Sequence, residues 1–534
     1  MTLHNKGVSI LFRTVERDHN FSKGSVSMFC TIHTCTQQAA SGIPTTVETA
    51  LYNGMPYFSI VGLPGNTVRE SKERIRAALL GCGLPFPSRR ITVNLAPAHI
   101  RKEGASFDFP IAVSILASEK TVPSDTGSLL SESLLAGELS LSGELRPVPG
   151  TLVMAVCARS MGLKRILLPV ENAKDASYVS GIEVIGIHTL SEAVDYLQGR
   201  RDIAPCPHRR PVPGHQDLTP LMAIRGQPEV QRALTIAAAG HHSVLLWGPP
   251  GTGKTMAAKA LLSLLPPLRD EEFLEVAAIY DSMGLETPSS RPFRAPHHTI
   301  SPFTLVGGRY PVKAGEVTLA HKGVLFMDEI AEYSRFTLEA LRQPLESHRI
   351  EIDRTGQSVE LPAHFIFIAS MNPCPCGYYP DRTRCQCTPG EIRHYLKRLQ
   401  SPLFDRIDIG IHMDVPDYDA LCKAPDPVCT SLAAQVEQAS RIQEERYRGL
   451  DFSCNGEIPP ERIQDFCAPD SDGEEIMRQA YEVYQLSARG YHRILKTART
   501  IADLAGSQEI KTEHLCEAIS LRSLDALSKV PETY

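Results

Sequence analysis

The stretch SVLLWGPPGTGKTMAAKALLSLL, residues 243–265, constrains this chain more than any other. Its opening apolar run reads as a buried strand. A glycine-rich loop follows, and then a helix that Pro266 and Pro267 stop. The loop Gly248, Pro249, Pro250, Gly251, Thr252, Gly253, Lys254, Thr255 fits the pattern G-x-x-x-x-G-K-[ST] in full. Its glycines let backbone N–H groups turn inward around phosphate oxygens, aided by the positive end of the helix. Lys254 is expected to reach the β- and γ-phosphates, and Thr255 to hold Mg²⁺. The competing reading is a chance glycine loop, and the flanking strand and helix argue against it.

A second apolar run, VLFMDE, ends in Asp328 and Glu329. Carboxylates at the C-terminal edge of a buried strand stand where α/β proteins bind ligands. Asp328 is expected at the Mg²⁺ and Glu329 at the attacking water. The bland alternative is a charged turn after a core strand. A third run, FIFIASMN, ends in Asn372, which could orient the same water or simply cap the strand. Such continuous apolar strands suit a parallel sheet covered on both faces. Phosphoryl transfer also calls for an arginine. SPLFDRIDI offers Arg406 between Asp405 and Asp408, where a surface salt bridge is equally compatible. LSARGYHRILKTART offers Arg489, Arg493 and Arg499.

With 534 residues the chain exceeds one ordinary core, and two to four domains are expected. Composition is that of a soluble globular protein, 42% hydrophobic and 22% charged. No apolar run reaches the ~18 residues of a membrane span, and the N-terminus makes a poor signal peptide. We therefore expect a cytoplasmic protein with no membrane partner. Residues 1–27 are expected to be a disordered extension, with Met28 an alternative start. The net charge of −6 excludes a wholly basic nucleic-acid coat but not a local basic pore. Residues 28–197 alternate strand-like and helix-like runs. Residues 198–217 read as a Pro-rich linker, residues 218–415 as the nucleotide-binding core, and residues 416–534 as helical.

In CPCGYYPDRTRCQC, Cys374, Cys376, Cys385 and Cys387 form two C-x-C pairs around a turn. Four thiolates in a reducing compartment suit one structural Zn²⁺, with unliganded thiols as the alternative. RIEID and SVELP, around RTGQ, read as a hairpin carrying Arg349 and Arg354. A second insertion, TLVGGRYPVKAGEVTL, carries Arg309 and Lys313. Both segments are equally readable as surface hairpins with solvated charges.

In order, Gly248–Thr255, Asp328–Glu329, Asn372, Arg406 and Arg489 resemble the Walker A, Walker B, sensor 1, arginine finger and sensor 2 of AAA+ ATPases, with Arg493 the reserve for sensor 2. The wording of FRAPHHTIS, GEVTLAHKGVLFMDEIAEY, MNPCPCGYY and LFDRIDI is similar to the magnesium-chelatase-like ATPases of the ComM/YifB branch. The resemblance runs from about Met28 to the C-terminus. It implies an α/β fold with a P-loop AAA+ core, a Lon-protease-like N-terminal domain and a C-terminal helical lid. It implies a hexameric ring with ATP between subunits, Arg406 acting in trans and Arg489 from the lid. It also implies DNA as substrate, touched by Arg349, Arg354, Arg309 and Lys313, in a helicase that drives branch migration during recombination and natural transformation. The alternative from a different class is a magnesium chelatase motor that inserts metal into porphyrin.

KEGASFDFPIAVSILAS resembles the nucleophile segment of Lon peptidases, with Ser106 at the serine position. By the same resemblance, Leu152 stands where the catalytic lysine belongs. A serine needs a neighbouring base, and leucine cannot be one. His99 has no evident orienting acid. An ATP-dependent peptidase is the least favoured reading, and this region is expected to be a scaffold.

Overall fold

The structure is a computed structural model. It describes residues 26–212, 214, 216–308, 312–354, 357–381, 383–397, 403–419 and 429–522. The expected extension lies outside the described residues as far as residue 25, and Val26 already belongs to the first strand. The chain divides into two compact units. One comprises Met1–Thr34, Thr45–Arg146 and Ile187–Ile203. The other comprises Cys35–Pro44, Pro147–Gly186 and Ala204–Tyr534.

In the first unit, which holds β1 (Val26–Gln38) as far as Thr34 and β2 (Ser41–Tyr52) from Thr45 onward, these strands, β3 (Tyr57–Val61), β4 (Arg90–Ala96) and β5 (Ser133–Leu135) lie in the order β3-β4-β2-β1-β5. β4 alternates strictly, burying Ile91, Val93 and Leu95 while the residues between them stay more open. This is the two-residue period of a strand with one face on a core. The helix Asn66–Gly81 buries Val68, Ser71, Ile75, Ala78 and Leu79 at helical spacing. The helix Asp108–Ser118 is buried along its whole length, as its nearly unbroken apolar sequence requires. Two short strands, β6 (Glu138–Leu139) and β7 (Leu145–Arg146), pair antiparallel.

In the second unit, β8 (Arg165–Pro169) and β9 (Glu183–Ile187) are neighbours. The rest is built on a five-stranded parallel sheet. Its strands are β10 (Val244–Trp247), β11 (Phe293–Arg294), β12 (Val324–Met327), β15 (Ile366–Met371) and β16 (Ile409–His412). Their order is β11-β12-β15-β10-β16. Helices Pro228–Gly240 and Lys254–Leu264 bury apolar residues in the same cluster as Val244, Leu246, Ile368 and Ile409. Leu245, Leu325, Met327, Phe367 and Ala369 point into the other cluster. Both faces are therefore covered, and the strands read as continuous apolar runs for that reason.

β13 (Arg349–Arg354) and β14 (Gln357–Pro362) form the expected hairpin, with its turn outside the described residues. The second insertion is closed by one antiparallel bridge, Gly307 to Ala314, between short helices. Beyond residue 428 the described chain is helical, in Cys429–Arg446, Ser471–Tyr484, Ala488–Leu504 and Thr512–Ser520. Asp503, fully buried, organises this part by accepting from Arg446, Arg499 and Asn455. Among the described residues no helix is long and apolar enough to cross a membrane.

Candidate nucleotide site

The register of the parallel sheet brings three strand ends to within two residues of one another. Trp247 faces Met371, and Met327 faces Ala369. The residues that follow are the phosphate loop, Asn372 and the acid pair, so one edge collects all three motifs. β15 lies between β10 and β12, which puts Asn372 between the loop and the carboxylates.

The loop turns into the helix Lys254–Leu264 through Gly251 (φ +84°) and Gly253 (φ +90°), a left-handed conformation that side chains resist. The Lys254 Nζ donates to the carbonyls of Gly248 (2.8 Å) and Pro249 (2.9 Å) and to Asn372 Oδ1 (3.1 Å). Burial pushes its pKa down, and the Asp328 and Glu329 carboxylates pull it back up. Thr255 Oγ1 donates to Asp328 Oδ2 at 3.4 Å, so the two expected Mg²⁺ residues are neighbours. Thr252 Oγ1 ties the loop to the Pro249 carbonyl at 3.0 Å.

Glu329 adopts a left-handed backbone (φ +50°), uncommon for a glutamate and often found at functional sites. Its N–H donates to Ser370 Oγ (3.1 Å) and Asp328 Oδ1 (3.2 Å). Ser370 Oγ in turn donates to Asp328 Oδ1. The sequence reading missed Ser370. It is a fully buried hydroxyl within an apolar strand, which calls for a partner. It also lies two positions from Asn372, on the same side of β15.

Arg406 and Arg489 are not at this edge. The Arg406 carbonyl accepts from Ser243 Oγ (2.6 Å), and Ser243 precedes β10 whereas the loop follows it. At about 3.3 Å per residue the two edges are on the order of 15 Å apart. The Arg406 guanidinium donates to Glu346. Arg489, exposed in the first turn of its helix, lies 3.8 Å from the same carboxylate. Arg493 donates to Asp408 and to the Arg406 carbonyl (2.8 Å). Burial would raise the Asp408 pKa. Arg493, His242 and the Ser243 N–H outweigh it and hold the carboxyl well below its usual range. Arg499 is buried and committed to Asp503 and to the carbonyls of Ser507 and Gln508. Glu346, which joins Arg406 to Arg489, has no motif that would have announced it.

The four cysteines converge. Their sulfurs lie within 4.8 Å of one another. Cys374 is 3.3 Å from Cys376 and 3.8 Å from Cys385, and Cys376 is 3.6 Å from Cys385. A tetrahedral site with Zn–S of ~2.3 Å has S–S edges of about 3.8 Å, so the residues present fit the ion. Gly377 (φ +88°) lets this loop meet the phosphate loop, because a Cβ there would lie 2.8 Å from Pro250 Cδ.

Of the proposed DNA contacts, Arg349 is exposed on β13 and flanked by Glu351 (3.5 Å) and Glu360 (3.4 Å). Lys313 is exposed. Arg309 and the Arg354 side chain lie outside the described residues. In the first unit the Ser106 carbonyl accepts from Gly137 N (3.0 Å), and no described group hydrogen-bonds its hydroxyl. Lys102, four residues earlier, is buried, which lowers its pKa to about 8, but it donates to the Pro97 carbonyl. In the second unit Leu152 is buried, and its N–H donates to Asp281 at 2.7 Å. His99 is exposed.

The parallel sheet, the strand ends gathered at one edge and the ordered phosphate and carboxylate motifs define an ATPase motor of the AAA+ type. The family model described as magnesium chelatase, subunit ChlI, matches residues 220–421. Subunit ChlI of Mg-chelatase matches residues 47–172, and the ChlI C-terminal model matches residues 428–522. The chain is 38% identical over 507 residues to YifB of Escherichia coli (strain K12), covering 93% of this chain and 97% of that one. It is 39% identical over 492 residues to competence protein ComM of Haemophilus influenzae, covering 90% and 94%. It is 23% identical over 339 residues to the magnesium-chelatase 38 kDa subunit of Rhodobacter capsulatus, covering 58% and 89%. The chain belongs to the ComM/YifB family of magnesium-chelatase-like proteins. Membership implies ATP and Mg²⁺ as cofactors.

Proposed function

We propose that this protein is an ATP-driven, ring-forming DNA helicase that promotes branch migration in homologous recombination, as in natural transformation. The observation that carries the reading is the near full-length likeness to a competence protein, at 39% identity. The hairpin Arg349–Pro362, just before the Asn372 strand, supports it as the element that meets DNA. Arg349, Arg354, Arg309 and Lys313 are its proposed phosphate contacts. The acids beside Arg349 make such contacts weak and salt-sensitive.

In this mechanism Lys254 and the loop N–H groups hold the ATP phosphates. Thr255 and Asp328 fit the Mg²⁺, which neutralises charge on the transferring phosphate. Glu329 takes the proton of the attacking water, and Asn372 orients that water. Ser370 holds both acids in place. Arg406 sits at the far edge of its own sheet, which supports a role at the nucleotide of a neighbouring subunit in a hexameric ring. Arg489 shares Glu346 with Arg406 and is proposed to act beside it in trans, from the helical lid of residues 416–534. The four cysteines hold a structural Zn²⁺ that stiffens the loop after Asn372. Residues 28–197 form a Lon-like domain without peptidase activity, followed by the linker 198–217 and the core 218–415. The protein works in the cytoplasm.

The alternative is a chelatase motor that inserts magnesium into porphyrin with partner subunits, favoured by the names of the matched domains. Hydrolysis by the full chain, measured with and without four-way DNA junctions, separates the two. Stimulation by junctions together with ATP-dependent junction unwinding is the expected result. An assembled ring that hydrolyses ATP but shows neither would sink the DNA reading.

A further inference from the structure

A second cluster of side chains able to hold a metal lies outside the four-cysteine loop and outside the proposed hydrolysis, and one of its members, His364, also lies within 4.8 Å of ligand atoms of His241 and Cys454. His348 immediately precedes β13, and His364 follows β14 by two residues, so the two imidazoles stand at the two feet of the hairpin. The feet are joined by Ala363 N donating to the His348 carbonyl at 2.9 Å. Glu457 closes the 3-10 turn Asn455–Glu457 in the C-terminal helical part. One ligand atom from each of His348, His364 and Glu457 lies within 4.8 Å of the others. The His348 and His364 rings are 5.2 Å apart, edge to face, and His364 Nε2 contacts Glu457 Oε1.

Two further observations favour a metal over a plain histidine–glutamate pair. The outer carboxylate oxygen is already held, because Glu457 Oε2 accepts from Ser453 N (2.9 Å) and Ser453 Oγ (3.3 Å). That leaves Oε1 turned toward the imidazoles, and such orientation of a ligating carboxylate is what outer hydrogen bonds provide at metal sites. The three residues also line a cavity of about 310 Å³, with room for the waters that complete a three-ligand site. Three arginines line the same cavity, and each faces an acid: Arg406 and Arg489 share Glu346, and Arg493 is paired with Asp408. Lys496 donates to the Gly456 carbonyl at 3.1 Å.

We propose that His348, His364 and Glu457 form a binding site for a borderline divalent transition-metal ion of the Zn²⁺ or Co²⁺ class, which clamps both feet of the hairpin to the C-terminal helices. Two imidazoles and one carboxylate suit such ions and not Mg²⁺, which prefers oxygen donors. The site goes beyond the hydrolytic reading and stands whether or not the motor acts on DNA.

The test uses the tag-free full chain without nucleotide, stripped by chelator and reloaded with Co²⁺, beside His348→Asn and Glu457→Gln. Asparagine tolerates the left-handed backbone of position 348 (φ +54°), so that variant keeps the local turn. The parent chain is expected to bind one equivalent more than either variant. The extra equivalent should show visible Co²⁺ bands without the near-ultraviolet sulfur charge transfer that the cysteine site would give. Equal Co²⁺ content in parent and His348→Asn would overturn the proposal. If Glu457→Gln lowers the melting temperature of the chelated chain, His348→Asn alone decides.

Discussion

Two glycine turns in this chain lead into buried helices and differ in everything around them. Gly253 (φ +90°) opens the helix Lys254–Leu264, and Gly104 (φ +87°) precedes the helix Asp108–Ser118. At the first, Lys254, Thr255, Asp328, Ser370 and Asn372 are joined by hydrogen bonds across three strands. At the second, the acid is spent on structure. Asp108 is fully buried, accepts from Arg74 Nε at 2.7 Å, and is also bonded to Ser71. The Ser106 hydroxyl gains nothing from it. A turn offers a nucleophile or a phosphate cradle, and chemistry follows only where other strands deliver partners to it.

The comparison breaks most easily at Glu329. Glu329→Gln keeps the shape and removes the base, and ATP hydrolysis is expected to fall by roughly 10²–10⁴-fold. Steady-state phosphate release measures it, with nucleotide binding retained, and near-normal turnover would refute the assignment. Next comes Asp108→Ala, which leaves Arg74 without its buried partner. A loss of about 3–5 kcal/mol in denaturant unfolding is expected, centred on the first unit. A change below about 1 kcal/mol would mean that the acid of this turn is not structural.

The smallest effects contrast two serines. Ser370→Ala removes the hydroxyl shared by Asp328 and Glu329. A net hydrogen-bond worth of about 1 kcal/mol for each of the two predicts a roughly thirtyfold fall in hydrolysis. Ser106→Ala is expected to leave hydrolysis unchanged, and a fluorophosphonate probe is expected not to label the parent chain. Labelling at Ser106 that the variant abolishes would restore the peptidase reading.

Much of the motor was legible because its strands are buried on both faces. β10, β12 and β15 announce themselves as apolar runs, and their polar ends carry the site. β1 was not legible in the same way. Its Thr-rich sequence, VSMFCTIHTCTQQ, does not look like a core strand. It is one because Thr34 is buried with its hydroxyl on the Leu135 carbonyl at 2.8 Å, a bond that only folding creates. The residue pattern alone offered Arg489, Arg493 and Arg499 on one helix, and only the family resemblance put Arg489 first. Burial and partners separate them. Arg499 holds the helical part together, Arg493 locks Asp408, and Arg489 is left exposed beside Glu346.

By itself, the sequence determined the phosphate loop, the acid pair, the buried strands and the paired cysteines, because spacing within a short segment dictates local geometry. The tertiary structure decided which distant residues share a site. Parallel register brings the ends of β10, β12 and β15 to within two residues of one another, and strand order inserts Asn372 between loop and acids. The height of one strand separates Arg406 from the loop of its own chain. Closing the hairpin brings His348 and His364 to one point. These are long-range consequences of sheet topology, and no local pattern of residues encodes them.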